Sequence, residues 1–282
     1  MTTRLLIKVG ALFIALTCLA GCGISPQNPK WRDKSDALLN IQEATASHMN
    51  AVGNTKRVFY AAFALHSGST AFQGDAILVR DILHSLNPRL SILLLSNQHE
   101  LSDINYPFAI KKNMNRVLTN IAGLSNQNSL VVVLLASHGA PNKIRIKIGN
   151  GGYSVDLTSQ EVKRYLEQLE SIPTIILISA CYSGSFMTEL AGENRIIITS
   201  ASKDRVSFGC SPKGKNTYFI RELFQNNFNA SKSLSELFLQ ASQQVAEKEK
   251  RNNLSASQPQ MYVGERMKTI VTVPLNELIT KI

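Results

Sequence analysis

The sequence predicts an α/β fold, a three-layer α/β/α sandwich around a mostly parallel central sheet of about six strands. Two continuous apolar runs, residues 130–136 and 174–179, lack the alternation of a half-exposed strand. Such runs are typical of strands that are buried on both faces of a parallel sheet. Segments with helical spacing separate the apolar runs, as the crossovers between parallel strands require. The chain of 282 residues is long enough for one such domain, and no second domain is needed.

The other elements follow from local patterns. Helices are predicted where apolar residues recur every three or four positions, and strands where short apolar runs end at turn residues. Residues 158–161 and 233–236 are capping boxes that open helices. Alternating isoleucines in residues 144–148, followed by Asn150-Gly151, predict a β-hairpin. In chain order, strands are predicted over residues 57–65, 90–95, 130–136, 144–148, 153–157, 174–179, 194–201, 261–264 and 270–273, and helices over 73–86, 113–121, about 158–169, 217–228 and from 233 onward.

A histidine and a cysteine each follow one of the buried strands directly. His138 lies in Ser137-His138-Gly139, and Cys181 lies in Ala180-Cys181-Tyr182-Ser183-Gly184. Ligands collect outside the carboxyl ends of the strands in open α/β sheets, so we expect both side chains to face one crevice. A thiol and an imidazole are the two groups that a cysteine hydrolase requires. Neither motif is specific alone, since a lone buried cysteine is more often an inert hydrophobe, but together they predict a catalytic dyad.

The N-terminus has the pattern of a signal peptide. Arg4 and Lys8 precede an apolar stretch that closes on Leu19-Ala20-Gly21-Cys22. The pattern resembles a bacterial lipoprotein signal over residues 1–21, which implies that Cys22 is lipidated and becomes the mature N-terminus. An ordinary secretory signal or an uncleaved anchor are the alternatives. Gly23 stands where an inner-membrane retention aspartate would be expected by resemblance, so we expect a lipid-anchored envelope protein at the outer membrane, facing the periplasm.

Three regions are expected: the signal peptide (1–21), a segment with the lipidated cysteine, a tether and an N-terminal helix (22–56), and the folded domain (57–282). The formal net charge of +10 favours contact with anionic lipid head groups, cell-wall polymers or acidic substrates. A solvated basic surface also accounts for most of these charges. Nucleic acid is not an expected partner, because the basic residues are scattered and accompany no recognisable nucleic-acid module.

The cysteines and the remaining histidines indicate no metal site and no disulfide framework. With Cys22 lipidated and Cys18 in the signal peptide, only Cys181 and Cys210 are left in the folded domain. Their pairing would block the thiol, and the sequence leaves this possibility open. The other histidines have no ligand partner at helical or strand spacing, and no metal or organic cofactor is expected. These histidines are His48, His66, His84 and His99.

From about residue 57 to 264 the chain resembles the legumain-type cysteine peptidases, the asparaginyl endopeptidase family, and in particular their bacterial lipoprotein members. The resemblance is carried by residues 133–139 and 178–184 around His138 and Cys181, by residues 198–210, and by residues 73–76 after the first strand. The family is related to the caspases, so the resemblance implies a caspase-like sandwich.

The resemblance also implies a chemistry and assigns roles to residues. A legumain-type enzyme hydrolyses peptide bonds through an acyl-enzyme, with Cys181 as nucleophile at a turn into a helix near Ser183 and His138 as acid and base. The backbone N–H groups of Gly139 and Cys181 would hold the oxyanion. A transpeptidase that passes the acyl group to an amine would use the same dyad. A catalytically silent envelope protein that binds a partner is the alternative from a different class.

The chain departs from the legumain pattern at the substrate pocket. The basic pair and the acid that help to hold an asparagine side chain in the animal and plant enzymes correspond here to Ala71-Phe72 and Ser179. Specificity for asparagine is therefore not implied. Ser179, Ser202 and Asp204 are candidates to line the pocket, and ordinary loop solvation and capping are the alternative for Ser202 and Asp204.

Overall fold

The computed structural model describes residues 28–280, apart from residues 51–56, 103, 127, 151 and 227. The strands are β1 (Arg57–Ala64), β2 (Ser91–Ser96), β3 (Ser129–Ala136), β4 (Gly139–Ala140), β5 (Lys143–Ile148), β6 (Tyr153–Thr158), β7 (Thr174–Ser179), β8 (Arg195–Thr199) and β9 (Gln260–Val263). The helices are α1 (Pro29–Asn50), α2 (Thr70–Leu86), α3 (Lys111–Leu124), α4 (Ser159–Leu166), α5 (Met187–Leu190), α6 (Tyr218–Phe224), α7 (Leu234–Arg251) and α8 (Leu275–Thr280).

The central sheet has six strands in the order β2-β1-β3-β7-β8-β9. All neighbours pair in parallel except β9, which runs antiparallel to β8. Helices cover both faces: α2, α6, α7 and α8 pack on one and α1, α3 and α4 on the other. Alternate residues of β1 divide between the layers, with Tyr60 facing the first and Phe59 and Phe63 the second. The predicted α/β/α class with a mostly parallel six-stranded sheet is confirmed.

The two apolar runs that defined the prediction are central strands. Every residue of β3 and β7 is buried, as their lack of alternation requires. The hairpin is also confirmed: β5 and β6 pair antiparallel and form a separate small sheet with β4. Both capping boxes are present, with Thr158 capping α4 and Ser233 capping α7.

The end of the chain differs from the prediction. The closing strand expected at 270–273 is wrong, because a 3₁₀ turn occupies Ile270–Thr272 and α8 follows. Val271 and Leu275 pack into the helical layer, so the apolar character of this segment serves a helix interface. Pro274 directly follows residues 270–273, and it has no N–H to donate to a β-ladder. The helix expected over 217–228 is shorter and ends at Phe224.

The N-terminal helix expected within 22–56 is α1, and it begins at Pro29, whereas the sequence predicted a tether over residues 23–33. The signal peptide and Cys22 lie outside the described residues. Among the helices within residues 28–280 that the structure describes, none is long and apolar enough to cross a membrane.

Helix α1 covers the edge of the sheet through a side-chain amide. Nε2 of Gln42 donates to the carbonyl oxygen of Leu94 in β2 at 3.0 Å, and the N–H of Leu94 donates to Oε1 of Gln42 at 3.0 Å. Glu43 on the same helix forms an ion pair with Arg116 of α3. Gln42 therefore takes the place of a neighbouring strand, which protects the edge strand from pairing with another chain.

Replacing Gln42 by Leu is expected to lower the free energy of unfolding by about 1–3 kcal/mol, because both backbone groups of Leu94 lose their partner. Urea unfolding followed by circular dichroism measures the change. Ile41→Ala on the exposed side of α1, where the side chain is 64% exposed, is the matched control and is expected to stay within about 0.5 kcal/mol. A loss for Gln42→Leu no larger than that of the control would contradict this role.

Candidate active site

The structure brings His138 and Cys181 to the same rim of the central sheet. Strands β3 and β7 are parallel neighbours with Ala136 opposite Ser179, and the N–H of Ser137 donates to the carbonyl oxygen of Ser179 at 3.1 Å. His138 and Cys181 each lie two residues beyond these partners, so they follow adjacent strands in the same register. Paired strands are about 4.8 Å apart, which leaves the two residues side by side at the rim.

A turn with a left-handed residue presents Cys181. Tyr182 has a φ of 57° and donates its N–H to the carbonyl oxygen of Arg205 at 2.7 Å. The half-buried sulfur of Cys181 accepts the N–H of Ser207 at 3.3 Å. The helix expected near Ser183 is a 3₁₀ turn, Ser183–Phe186, that continues into the single turn of α5. A helix this short contributes little positive potential at the sulfur. The hydrogen bond from the N–H of Ser207 supplies a positive partial charge there instead.

Two backbone N–H groups beside the sulfur are available to an incoming carbonyl oxygen. The N–H of Arg145 donates to the carbonyl oxygen of His138 at 2.9 Å, so Gly139 and Ile144 form a non-hydrogen-bonded pair of the β4–β5 ladder. The N–H of Gly139 is therefore outside the ladder. No hydrogen bond joins the N–H of Cys181 to any residue that the structure describes. A Cβ on Gly139 would lie 2.2 Å from the carbonyl oxygen of Cys181, so only glycine allows this close approach.

The imidazole of His138 is half-buried and surrounded by rings and positive charge. His66 and Phe72 contact it edge-on, with ring centroids at 4.6 Å and 5.0 Å. Burial lowers the pKa of His138, and the charge of Lys147 lowers it further. Sequence reasoning placed His66 in a Ser/Gly-rich loop and gave it no role. The strand-end rule could have found it, because His66 lies two residues beyond β1, which is paired with β3.

A cavity of about 220 Å³ opens beside His138 and Gly139 and is bounded by the hairpin. Asp156 of β6 pairs there with Lys143 at 3.0 Å and with Arg145 at 2.9 Å. A larger cavity of about 740 Å³ lies at the opposite rim, around Arg195. The Arg195 guanidinium donates to the last carbonyls of α4 and α5, and none of the residues that line this cavity is a cysteine or a histidine.

A buried carboxylate holds the loop over residues 200–217 against the sheet and α2. Asp75 accepts hydrogen bonds from the N–H and Oγ1 of Thr217 at 2.9 Å and 2.7 Å, from Nδ2 of Asn216 at 3.3 Å and from Oγ of Ser179 at 3.1 Å. Burial raises the pKa of Asp75 to about 7, although these hydrogen bonds oppose the rise. Sequence reasoning gave Asp75 no role, although an acid among the apolar residues of a helix face was a usable signal.

The structure divides the three pocket candidates between two places. Ser179 belongs to the Asp75 cluster. Ser202 donates its Oγ to Oδ1 of Asp204 at 2.7 Å, and this bond lowers the pKa of the exposed Asp204. Their loop lies against the turn after the cysteine, since a Cβ on Gly184 would meet the backbone of Lys203 at 2.7 Å. No hydrogen bond between described residues joins Ser179 to the Ser202–Asp204 pair.

Cys181 and Cys210 are both free thiols. Cys210 is half-buried, and burial raises its pKa, as does the neighbouring Cys181 to a smaller extent. Over the described part of the chain, no group of three or more His, Cys, Asp or Glu residues is arranged to hold a metal ion.

A comparison with protein families places the sequence in a known family. The sequence profile of the peptidase C13 family matches residues 97–269, more than half of the chain, and this range contains both His138 and Cys181. Among solved structures, the crystal structure of caspase-1 from Spodoptera frugiperda is similar, with a TM-score of 0.48 and 15% sequence identity over 74% of this chain and 85% of that chain. No curated protein matches the chain.

Asp75→Ala is expected to lower the free energy of unfolding by about 3–5 kcal/mol, because it leaves several buried donors without an acceptor. Asp75→Asn keeps an acceptor oxygen and is expected to lose less. Asp81→Ala, an exposed position on the same helix, is the control and is expected to stay within about 0.5 kcal/mol. Chemical denaturation at one pH measures all three, and equal losses for Asp75→Ala and Asp81→Ala would contradict the role of the cluster.

The raised pKa of Asp75 predicts a pH dependence with a definite sign. The folded protein binds this proton up to about pH 7, whereas the unfolded chain releases it near 3.8, so the folded state holds more protons between these values. The contribution of Asp75 to stability must therefore fall as pH rises from about 4 to about 7. The difference in unfolding free energy between the wild type and Asp75→Asn isolates this contribution. A difference that is flat or increases over this range would contradict the burial argument.

Proposed function

We propose that this chain, which belongs to the peptidase C13 family (the legumain family), is a lipid-anchored cell-envelope endopeptidase that works through Cys181 and His138. Membership of the family supports a cysteine peptidase-type function on peptide or protein substrates. The observation that supports the dyad is the shared register of β3 and β7, which puts both residues just beyond adjacent strand ends. A scissile amide lying along this rim can reach the sulfur and the imidazole together.

The proposed reaction begins at the sulfur of Cys181. His138 takes the proton of the Cys181 thiol, and the resulting thiolate, to which the N–H of Ser207 donates, attacks the carbonyl carbon of the substrate. The resulting oxyanion lies between the N–H groups of Gly139 and Cys181, and each such donor is worth about 3–4 kcal/mol in comparable sites. His138 protonates the nitrogen of the leaving amine as the C–N bond breaks, and a thioester to Cys181 remains.

Water completes the cycle. His138 takes a proton from the attacking water, the thioester C–S bond breaks to release the carboxylic acid product, and His138 returns the proton to the sulfur of Cys181. The lowered pKa of His138 favours the neutral imidazole, which is the form that can accept a proton from the water. An amine that attacks in place of water would give transpeptidation through the same thioester.

The anchoring part of the proposal rests on the sequence before α1. The charged start, the short apolar stretch and the small residues directly before Cys22 support signal cleavage and lipidation. Gly23 supports the outer membrane as the destination by the same resemblance.

Cys181→Ala is expected to abolish cleavage of a peptide library, whereas Cys210→Ala, the matched control, is expected to stay within about fivefold of the wild type, because only Cys181 lies beside the oxyanion donors. His138→Ala is expected to lower kcat by about 10²–10⁴-fold. Initial rates on the purified mature protein measure these changes, and the cleavage products report the residue preference. Cleavage that survives Cys181→Ala would contradict the dyad. Labelling by a peptide alkylator on Cys210 alone, or no labelling under reducing conditions, would favour a binding protein.

Expression in a bacterial host with a lipoprotein pathway is expected to yield a mature chain that starts at Cys22 and carries acyl groups. Mass spectrometry of the N-terminal peptide measures the modification, and Cys22→Ser is the control that is expected to remain unacylated. An N-terminal peptide with an unmodified Cys22 thiol would refute the lipid anchor and leave the dyad untouched.

A further inference from the structure

Three neighbouring strands each contribute one residue to a row along the catalytic rim. Ala64 at the end of β1 lies opposite Ala136 of β3, which lies opposite Ser179 of β7. Two residues beyond these partners stand His66, His138 and Cys181, in the order of the strands. The register that aligns the dyad therefore also aligns a second imidazole on the far side of His138.

Packing between rings holds the imidazole of His138. No hydrogen bond reaches its two nitrogens from any group in the described part of the chain. The ring of His66 lies at 87° to that of His138 with centroids 4.6 Å apart, and Phe72 repeats this arrangement at 5.0 Å. His66 and Phe72 also contact each other at 6.1 Å, which closes a triangle of rings. In most nucleophile–base pairs a third, hydrogen-bonding group orients the base, and here the rings occupy that place.

His66 is itself held in one orientation. The N–H of Gly68 donates to Nδ1 of His66 at 3.0 Å, and a Cβ on Gly68 would lie 2.7 Å from Cε1 of that ring. The backbone on either side is tied to the hairpin: Lys147 donates its N–H to the carbonyl oxygen of Leu65 at 2.9 Å and accepts the N–H of Ser67 at 3.1 Å. Because Nδ1 is an acceptor, the proton of neutral His66 is on Nε2.

Burial, together with the charges around it, keeps His66 neutral. Burial lowers its pKa to about 4, and His138, Lys147 and Arg145 add to the effect in that order. The charge of Lys147 also lowers the pKa of His138. At neutral pH His66 therefore carries no charge that would repel a protonated His138. His138 can gain and lose its proton while His66 stays neutral.

We propose that His66 is a positioning residue, which together with Phe72 fixes the ring plane of His138 through edge-to-face contact in place of a hydrogen-bonding carboxylate or amide. The effect on turnover rests on the proposed function of the dyad. The effect on the imidazole itself does not.

Two replacements separate the ring of His66 from its hydrogen bond. Asn offers an oxygen to the N–H of Gly68 but has no ring, and Phe keeps the ring but has no acceptor. His66→Asn is expected to lower kcat by about 10–100-fold with KM within about twofold, because the general acid is no longer held at its productive angle. His66→Phe is expected to recover kcat to within about threefold of the wild type, and His84→Asn, an exposed histidine on α2, is the control that leaves kcat unchanged.

Melting temperatures and an NMR titration of the His138 imidazole complete the experiment. In the Cys181→Ala background the pKa of His138 is expected to rise toward its ordinary value in His66→Asn and to stay low in His66→Phe, since only the first exposes the ring. A kcat equal to that of the wild type in both variants, with an unchanged pKa of His138, would overturn the proposal. So would equal losses in both variants with lowered melting temperatures, which indicate a structural role. If the wild type cleaves no peptide, the proposed function fails while the titration still decides this inference.

Discussion

The parallel pairing of β3 with β7 is the constraint on which the site depends. Both strands are buried along their whole length, so their register is fixed by the packing of apolar side chains against helices on two faces. A shift of one residue would turn every side chain of one strand to the opposite face and separate His138 from Cys181. The hydrophobic core thus fixes the relative position of His138 and Cys181, and β1 extends the same register to His66.

A second layer of polar contacts holds the loop that completes the site. The first residues of α2 and its N-cap bind this loop, residues 200–217, through hydrogen bonds. Oγ of Ser69 donates to the carbonyl oxygen of Ser211 at 2.7 Å, and Asp75 accepts from Oγ1 of Thr217. A Cβ on Gly74 would lie 1.7 Å from the carbonyl oxygen of Lys215, so glycine is required for this contact. The loop carries both Ser207, whose N–H meets the sulfur, and Cys210. The environment of Cys181 therefore depends on a helix that is distant in sequence.

The sequence was sufficient where the signal is local. Unbroken apolar runs identified β3 and β7, and the isoleucine alternation identified the hairpin. The rule for strand ends predicted that His138 and Cys181 lie at one rim of the sheet. It was insufficient where a role depends on tertiary partners. Nothing local relates Asp75 to Thr217, and the apolar residues at 270–273 fit a strand until their packing against α7 is known. His66 was missed because its Ser/Gly-rich surroundings indicate a loop, although it follows β1 as His138 follows β3.

A crystal structure of the mature protein with a peptide aldehyde is the sharpest test of the proposed role of Cys181 and His138. We expect a bond from Sγ of Cys181 to the aldehyde carbon, with the oxygen about 2.7–3.1 Å from the N–H groups of Gly139 and Cys181. The ring of His138 should lie beside the adduct, in contact with His66. An adduct on Cys210, or an oxygen turned away from Gly139 with His138 out of reach, would contradict it.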